Sequence, residues 1–437
     1  MTCRRLLLLL LLACGGWGRT GEPELPVGEV LPRVPCRAKP AFTYALYLPR
    51  DWKPGEVRPV LLGFSPQGQG EEPVRRFRRA ADELGWILVG SNDSRNGPLA
   101  PALAAQEALW AEVQARFRPD PRRTFATGFS GGARMAVRLV RAHPGKVAGV
   151  AAFGAFFIDE AHTLHGLGGP AYFLACGMED FNFAELREAR EALAGRRLPA
   201  WAETFPGPHR WPPEDVALRA ARFLEARSRG EVPPILEEGR VMARALEAGG
   251  EALQAQRLWE EVAAWSANPA DREAARRAGA APAARRELEL EVRYRARHQD
   301  HDALRPTPKW GAAASALSAT AHGPDPLEAR QAWRILWDDL LILEVQGSEA
   351  LERKDGPTAE QRFAAMVLLA PEVPRHRVLL AAALVAQGRS VEALVRLREA
   401  VASGYRPRQI LATSEAFAPL RGTAGFEQLL AELPERP

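Results

Sequence analysis

From residue 42 onward, short apolar runs alternate with amphipathic stretches of helical period. Residues 42–47 (Phe42-Thr43-Tyr44-Ala45-Leu46-Tyr47) alternate as a strand does. Residues 60–64 are an unbroken apolar run, the pattern of a parallel strand covered on both faces. The same reading predicts a helix over 74–84, a strand over 86–90 and a long helix over 99–117, stopped by Pro119 and Pro121. A strand over 123–127 leads into a helix over 131–142. Strands over 147–153, 172–176 and 200–205 follow, with helices over 183–193 and 214–225. Such alternation demands a mostly parallel, doubly wound sheet with helices on both faces.

Past residue 229 the strand signal vanishes, and Ala, Leu, Arg and Glu dominate. The expectation is an all-α, helical-repeat-like domain over 230–437. Ala381, Gly388, Ala393, Leu397 and Ala400 fall where a tetratricopeptide repeat places its packing residues. Residues 235–265 read as a weaker helix pair. The proline-bounded stretch 306–326 reads as a connection without regular structure. Trp333 and Trp337 lie one helical turn apart, as a core stripe would place them.

The N-terminus changes the picture. Arg4 and Arg5 precede an apolar run over 6–12, too short to cross a bilayer as a helix. Residues 1–13 are expected to be a signal peptide of lipoprotein type. Leu11-Leu12-Ala13-Cys14 resembles a lipobox, which makes Cys14 the expected lipidation site. A plain signal peptide cut near Gly16 or Gly18 is the alternative. Residues 14–35, rich in Gly, Pro and Glu, read as a flexible tether, and residues 36–229 as the α/β domain. The expectation is an exported lipoprotein, anchored through Cys14 and facing the periplasm or the cell exterior.

Charge adds little. Lys and Arg number 58 against 54 Asp and Glu, a formal net charge of +4 over 437 residues. Acidic residues are interspersed throughout, so no nucleic-acid partner is expected. Arg75-Arg76-Phe77-Arg78-Arg79 reads as a solvated helix face. Cys36 and Cys176 could pair in an exported compartment or stay as two buried thiols. No Cys-x-x-Cys occurs, and neither His162/His165 nor His298/His301 with Asp300 and Asp302 reads as a metal site. No cofactor is expected.

The chemistry lies elsewhere. Gly128-Phe129-Ser130-Gly131-Gly132 fits Gly-x-Ser-x-Gly, sits after an apolar run and opens a helical pattern. In that setting the motif is a nucleophile elbow, whose flanking glycines let the chain turn sharply around an exposed serine. A serine hydroxyl needs a histidine to take its proton and a carboxylate to orient that histidine. Asp180 stands just past the strand over 172–176, with Glu179 as its near alternative; Asn182 is better placed to cap the following helix. His209 stands between the last strand and the last helix, in a loop stiffened by Pro208, Pro212 and Pro213. Two backbone N–H groups must hold a developing oxyanion. Gly131 supplies one. The loop after 60–64 reads Ser65-Pro66-Gln67, and since proline has no N–H, Gln67 supplies the other.

These segments resemble the polyhydroxybutyrate-depolymerase, feruloyl-esterase and dienelactone-hydrolase group of α/β-hydrolases. The resemblance covers residues 42–227 and rests on Gly128-Phe129-Ser130-Gly131-Gly132, Gly177-Met178-Glu179-Asp180-Phe181-Asn182 and Phe205-Pro206-Gly207-Pro208-His209. It implies an α/β-hydrolase fold with Ser130 as nucleophile, Asp180 as acid and His209 as base. Most relatives carry His-Gly where this chain has Ser65-Pro66. The implied activity is hydrolysis of carboxylic esters through an acyl-enzyme. A serine peptidase and a catalytically retired scaffold acting as a surface interaction lipoprotein are the alternatives. The short stretch over 158–170 leaves no room for a large cap, which suits a bulky or polymeric ester. The helical domain could bind a protein partner.

Overall fold

The computed structural model describes residues 25–156, 166–305 and 307–434. The apolar runs of the first half become the strands of one sheet. The elements are β1 (Val30–Pro35), β2 (Thr43–Tyr47), β3 (Val60–Phe64), α1 (Glu71–Leu84), β4 (Ile87–Ser91), α2 (Leu99–Phe117) and β5 (Thr124–Phe129). They continue as α3 (Gly131–Ala142), β6 (Gly149–Phe153), β7 (Ala171–Gly177), α4 (Phe183–Gly195), β8 (Ala200–Phe205) and α5 (Glu214–Ser228). The eight strands run in the order β1-β2-β4-β3-β5-β6-β7-β8. β1 and β2 pair antiparallel, as do β2 and β4; every later pairing is parallel. This is an α/β-hydrolase-like sheet. Every residue of β3 to β7 is buried, which is why those segments read as continuous apolar runs.

The order reverses at β3, whose neighbours are β4 on one side and β5 on the other. In open α/β sheets the crevice at such a switch, beyond the carboxyl ends of the strands, is where ligands bind. Gln67 follows β3 and Ser130 follows β5.

Two expectations need correction. Residues 30–35, assigned to the tether, form edge strand β1, with an irregularity between Leu31 and Val34. Pro32 and Pro35 suggested a linker, but an edge strand tolerates residues without an N–H. The stretch 306–326, expected to be irregular, contains a twelve-residue helix, Trp310–Ala321. Its interior is alanine-rich, and the flanking prolines lie outside it. Cys14 and residues 1–13 lie outside the described residues, as do His162, His165 and most of 158–170.

After β8 every described element is helical: α5, then α6 (Leu236–Ala248), α7 (Ala252–Trp265), α8 (Pro269–Gly279), α9 (Pro282–Leu304), α10 (Trp310–Ala321) and α11 (Pro326–Glu352). α12 (Gly356–Leu369), α13 (Pro374–Ala386), α14 (Ser390–Ala402), α15 (Arg408–Thr413), a 3-10 turn over Glu415–Leu420 and α16 (Ala424–Ala431) complete the chain. Pro326 starts a helix rather than ending one. Asp325 caps it, its Oδ1 accepting from the Leu327 and Glu328 amides at 3.0 and 3.3 Å. None of the described helices is long and apolar enough to cross a membrane.

The apolar interior does not divide where the secondary structure changes. One core packs α2, α3 and α4 against the sheet. The opposite face carries α1 and α5 in a core that continues into α6, α7 and α8 through Trp201, Phe223, Ile235, Leu258, Trp259 and Val262. Trp265 Nε1 donates to the Ala200 carbonyl at 3.2 Å across the same seam. A separate core spans α9 to α16. Cys36 and Cys176 are buried free thiols. Burial raises both, Cys36 to about 11 and Cys176 well above the usual range, with the Asp180 charge adding to the latter.

Candidate active site

The elbow forms because β5 ends against α3 with no room for side chains. A Cβ on Gly128 would lie 2.2 Å from the Gly132 carbonyl oxygen, and one on Gly132 would lie 2.2 Å from the Phe64 carbonyl oxygen. Only glycine fits at either place. Ser130 between them has φ 54° and ψ −125°. For a residue with a Cβ this conformation costs roughly 1–3 kcal/mol and persists only where its surroundings impose it. Here the Ser130 N–H donates to the Phe153 carbonyl at 2.8 Å, and its carbonyl accepts from the Ala133 amide at 2.9 Å. The Gly131 amide opens α3, where the first N–H groups have no helical acceptor.

Asp180 is fully buried just past β7. Its Oδ1 accepts from the Asn182 amide at 2.8 Å, which fixes the carboxylate. His209 Nδ1 lies 2.9 Å from Oδ1 and 3.0 Å from Oδ2. That pairing points Nε2 away from the acid. Two rings pack against the imidazole, each tilted by 37°: Phe181 at 4.1 Å and Phe129 at 4.4 Å between centroids. Phe129 immediately precedes Ser130. A Cβ on Gly154, the residue after Phe153, would meet His209 Cε1 at 3.0 Å. The imidazole is therefore packed against both segments that hold the serine. Glu179 is not the partner of His209; it carries its charge toward Arg330. Asn182 is the residue before α4, yet its side chain leaves the helix and donates to the Gly154 carbonyl at 2.7 Å.

Gln67 sits in the loop after β3, bridged to Arg95. Its amide faces Ser65 Oγ at 3.4 Å, a long contact. Asn96 closes in from the neighbouring loop, its amide donating to the Pro66 carbonyl at 2.8 Å. Asn96 Oδ1 occupies the space beside Gly131: a Cβ there would lie 1.8 Å from it. An open groove of about 670 Å³ runs past these groups, lined by Gln67, Gln69, Phe129, Arg210, Trp211 and Pro213 among others. Among the described residues, all that line it precede α5.

No protein-family model matches the chain. No curated protein matches it either. Solved structures resemble part of the chain. An S-formylglutathione hydrolase from Staphylococcus aureus is 16% identical, with 42% of this chain and 90% of that chain covered at a TM-score of 0.36. A ferulic acid esterase is 16% identical, covering 45% of this chain and 97% of its own, with a TM-score of 0.36. Esterase 2 of Thermogutta terrifontis is 18% identical, covering 50% and 97%, at 0.35. These activities are the neighbours' own.

Several site residues escaped sequence reasoning. In the sequence Phe129 is only the variable position of the motif, and Phe181 only a neighbour of the acid. Their contact with His209 depends on three loops meeting. Asn96 lies between two loops with no motif around it.

In the helical region, ligand atoms of His298, Asp302 and Asp338 lie within 4.8 Å of one another. A guanidinium already serves that cluster. Arg305 pairs with Asp302 at 2.9 Å, Asp338 at 2.6 Å and Asp339 at 3.0 Å. His301 contacts Asp339 at 2.6 Å. The group ties α9 to α11.

Proposed function

We propose that the chain is a serine hydrolase of carboxylic esters, with Ser130 as nucleophile, His209 as base and Asp180 as the acid that orients it. The observation that carries this reading is the buried Asp180 carboxylate on His209 Nδ1, with the imidazole packed against the residue before a strained Ser130. Asp180 selects the tautomer with hydrogen on Nδ1, so Nε2 accepts the Ser130 proton as Oγ attacks the ester carbonyl. The oxyanion takes hydrogen bonds from the Gly131 and Gln67 amides; Gln67 exchanges its long contact with Ser65 for this one. Protonated Nε2 then gives its proton to the leaving alcohol. Water attacks the acyl-enzyme by the same relay, and the carboxylic acid departs.

The open groove favours bulky or polymeric esters, and Phe129 and Trp211 on its wall offer apolar contact. We also propose export and anchoring through Cys14, on the strength of the short apolar run and lipobox. The helix pairs α6–α7 and α13–α14 carry the tetratricopeptide-like reading and a surface for a protein partner. A retired scaffold is the second reading, supported by Ser65-Pro66 and by the Gln67 amide turned toward Ser65.

Fluorophosphonate labelling separates the two. An enzyme labels, and Ser130→Ala abolishes the label. Folded wild-type protein that stays unlabelled supports the scaffold. A panel of p-nitrophenyl esters beside peptide p-nitroanilides then distinguishes esterase from peptidase.

A further inference from the structure

One peptide unit of the acid loop joins three parts of the molecule. The Met178 carbonyl accepts from Arg334 Nε of α11 at 2.8 Å. The N–H of the same unit, on Glu179, donates to the Gly207 carbonyl at 3.1 Å. Asp180 follows Glu179 directly, and Gly207 stands two residues before His209. The Met178 amide adds a bond to the Phe205 carbonyl at 2.9 Å. Donors and acceptors therefore run from α11 through the acid loop into the histidine loop, and in such a chain each hydrogen bond polarises the next. The two loops leave each other no slack. A Cβ on Gly177 would lie 2.1 Å from the Gly207 carbonyl oxygen and 2.4 Å from that of Pro208. A shift of the acid loop is thus passed on to the segment that carries His209.

Arg334 is itself fixed. It is 7% exposed, and its guanidinium lies 3.5 Å from the ring centre of Phe183, the first residue of α4. Nη1 donates to Gln331 Oε1 at 2.8 Å and faces Glu291 at 3.5 Å. Burial lowers the Arg334 pKa, as it does for any desolvated cation. A guanidinium is a costly way to fill a seam, because apolar side chains of similar volume often stabilise as well or better. What it adds is direction, a donor aimed at one carbonyl. It also reaches across two interiors. Cys176 at the end of β7 and Phe183 belong to the core on one face of the sheet, whereas Ile335 and Leu336, beside Arg334, belong to the core of α9 to α16.

Resting on the triad reading above, we propose that Arg334 is a positioning residue for the triad: it fixes the Met178–Glu179 peptide unit and so sets the Asp180 carboxylate on His209 Nδ1. The helical half then belongs to the catalytic unit, although Arg334 is not among the residues that line the groove beside Ser130. Arg334 touches no substrate and moves no proton. It acts through alignment, and a misplacement of ~1 Å from a change remote from the reacting atoms can cost about 100-fold in rate.

Two substitutions at this one position separate the donor from the space it fills. Arg334→Gln carries a neutral N–H donor on Cδ, where Nε stands, and Arg334→Met carries a methyl group at that distance. The assay is kcat and KM of the full chain on p-nitrophenyl acetate, beside the downfield proton resonance of His209 Nδ1. Arg334→Met should lower kcat about ten- to a hundredfold, leave KM within about twofold and move the Nδ1 resonance. Arg334→Gln should keep most of kcat and the wild-type resonance. Gln331→Leu, which removes the acceptor of Nη1 and leaves Arg334 in place, should show an intermediate loss, and it decides the matter where Arg334→Met does not fold. Equal losses in folded Arg334→Met and Arg334→Gln overturn the proposal, because they assign the effect to lost charge or volume. So does unchanged kcat with an unmoved resonance in Arg334→Met, or in Gln331→Leu where that variant stands in for it. Wild-type protein that does not hydrolyse the ester, or does so equally well as Ser130→Ala, overturns the triad reading and this proposal with it; an active wild type with an indifferent Arg334 overturns this proposal alone.

Discussion

Replacing Asp180 with Asn keeps the shape of the site and removes its charge. The carboxylate has no exposed surface and accepts three contacts: the Asn182 amide at 2.8 Å on Oδ1, and His209 Nδ1 at 2.9 and 3.0 Å on the two oxygens. An asparagine has one acceptor for these positions. With its oxygen toward the Asn182 amide, that oxygen must serve both the amide and His209 Nδ1, while its NH2 takes the place of Oδ2 and faces the same nitrogen. A donor there, with the charge gone, favours the other tautomer, with hydrogen on Nε2, in which Nε2 can no longer take the serine proton. With the amide reversed, NH2 confronts the Asn182 N–H, and that buried donor loses its acceptor. The first arrangement costs less. The loss expected in kcat is about 10⁴-fold, the figure for the equivalent change in the template triad, equal to roughly 5.4 kcal/mol of transition-state stabilisation. The assay is kcat on p-nitrophenyl acetate beside the second-order rate of fluorophosphonate labelling, with circular dichroism as the fold control. Because the three residues act as a unit, Ser130→Ala/Asp180→Asn should be no slower than Ser130→Ala alone. Retention of more than about a tenth of kcat in a folded Asp180→Asn protein would refute the argument, since a tautomer effect cannot be that small.

Three further outcomes are expected. Phe181→Ala removes one of the two rings packed on the imidazole, a contact of about 0.5–1.5 kcal/mol, so kcat should fall about three- to tenfold with KM little changed. Ser130→Gly relieves the φ 54° conformation, so it should unfold at higher urea concentration than Ser130→Ala, by about 1–3 kcal/mol less any gain in unfolded-chain entropy from glycine. His376 is 3% exposed, and burial lowers its pKa below the usual histidine value. Its stabilising contribution is complete above the unfolded pKa of about 6.5 and is lost as pH falls toward the folded value, so stability should decline below about pH 6.5. Urea titrations of His376→Gln against wild type should show that slope diminished in the variant.

Much of the first half was legible because its strands are buried on both faces. Residues 60–64 coincide with β3, and 99–117, 131–142 and 200–205 coincide with α2, α3 and β8. Asp180 and His209 were legible for a different reason: each follows a strand, and the sheet carries such positions to one edge. β1 was missed because an edge strand with two prolines and one covered face lacks the apolar continuity of β3. The helix over Trp310–Ala321 was missed because Pro324 and Pro326 outweighed an alanine-rich interior, although Pro326 marks the beginning of α11. The packing on the imidazole had no sequence signal. Phe129, Phe181 and His209 come together only through the registers of β5, β7 and β8.

The core shared by Trp201, Phe223 and Ile235 with α6 to α8 makes the α/β half a poor candidate for excision. A fragment ending near Gly230 would leave an oily flank in contact with water and would aggregate rather than fold. Expression trials, domain swaps and limited digestion should respect a frontier beyond Ala278, where the two interiors part.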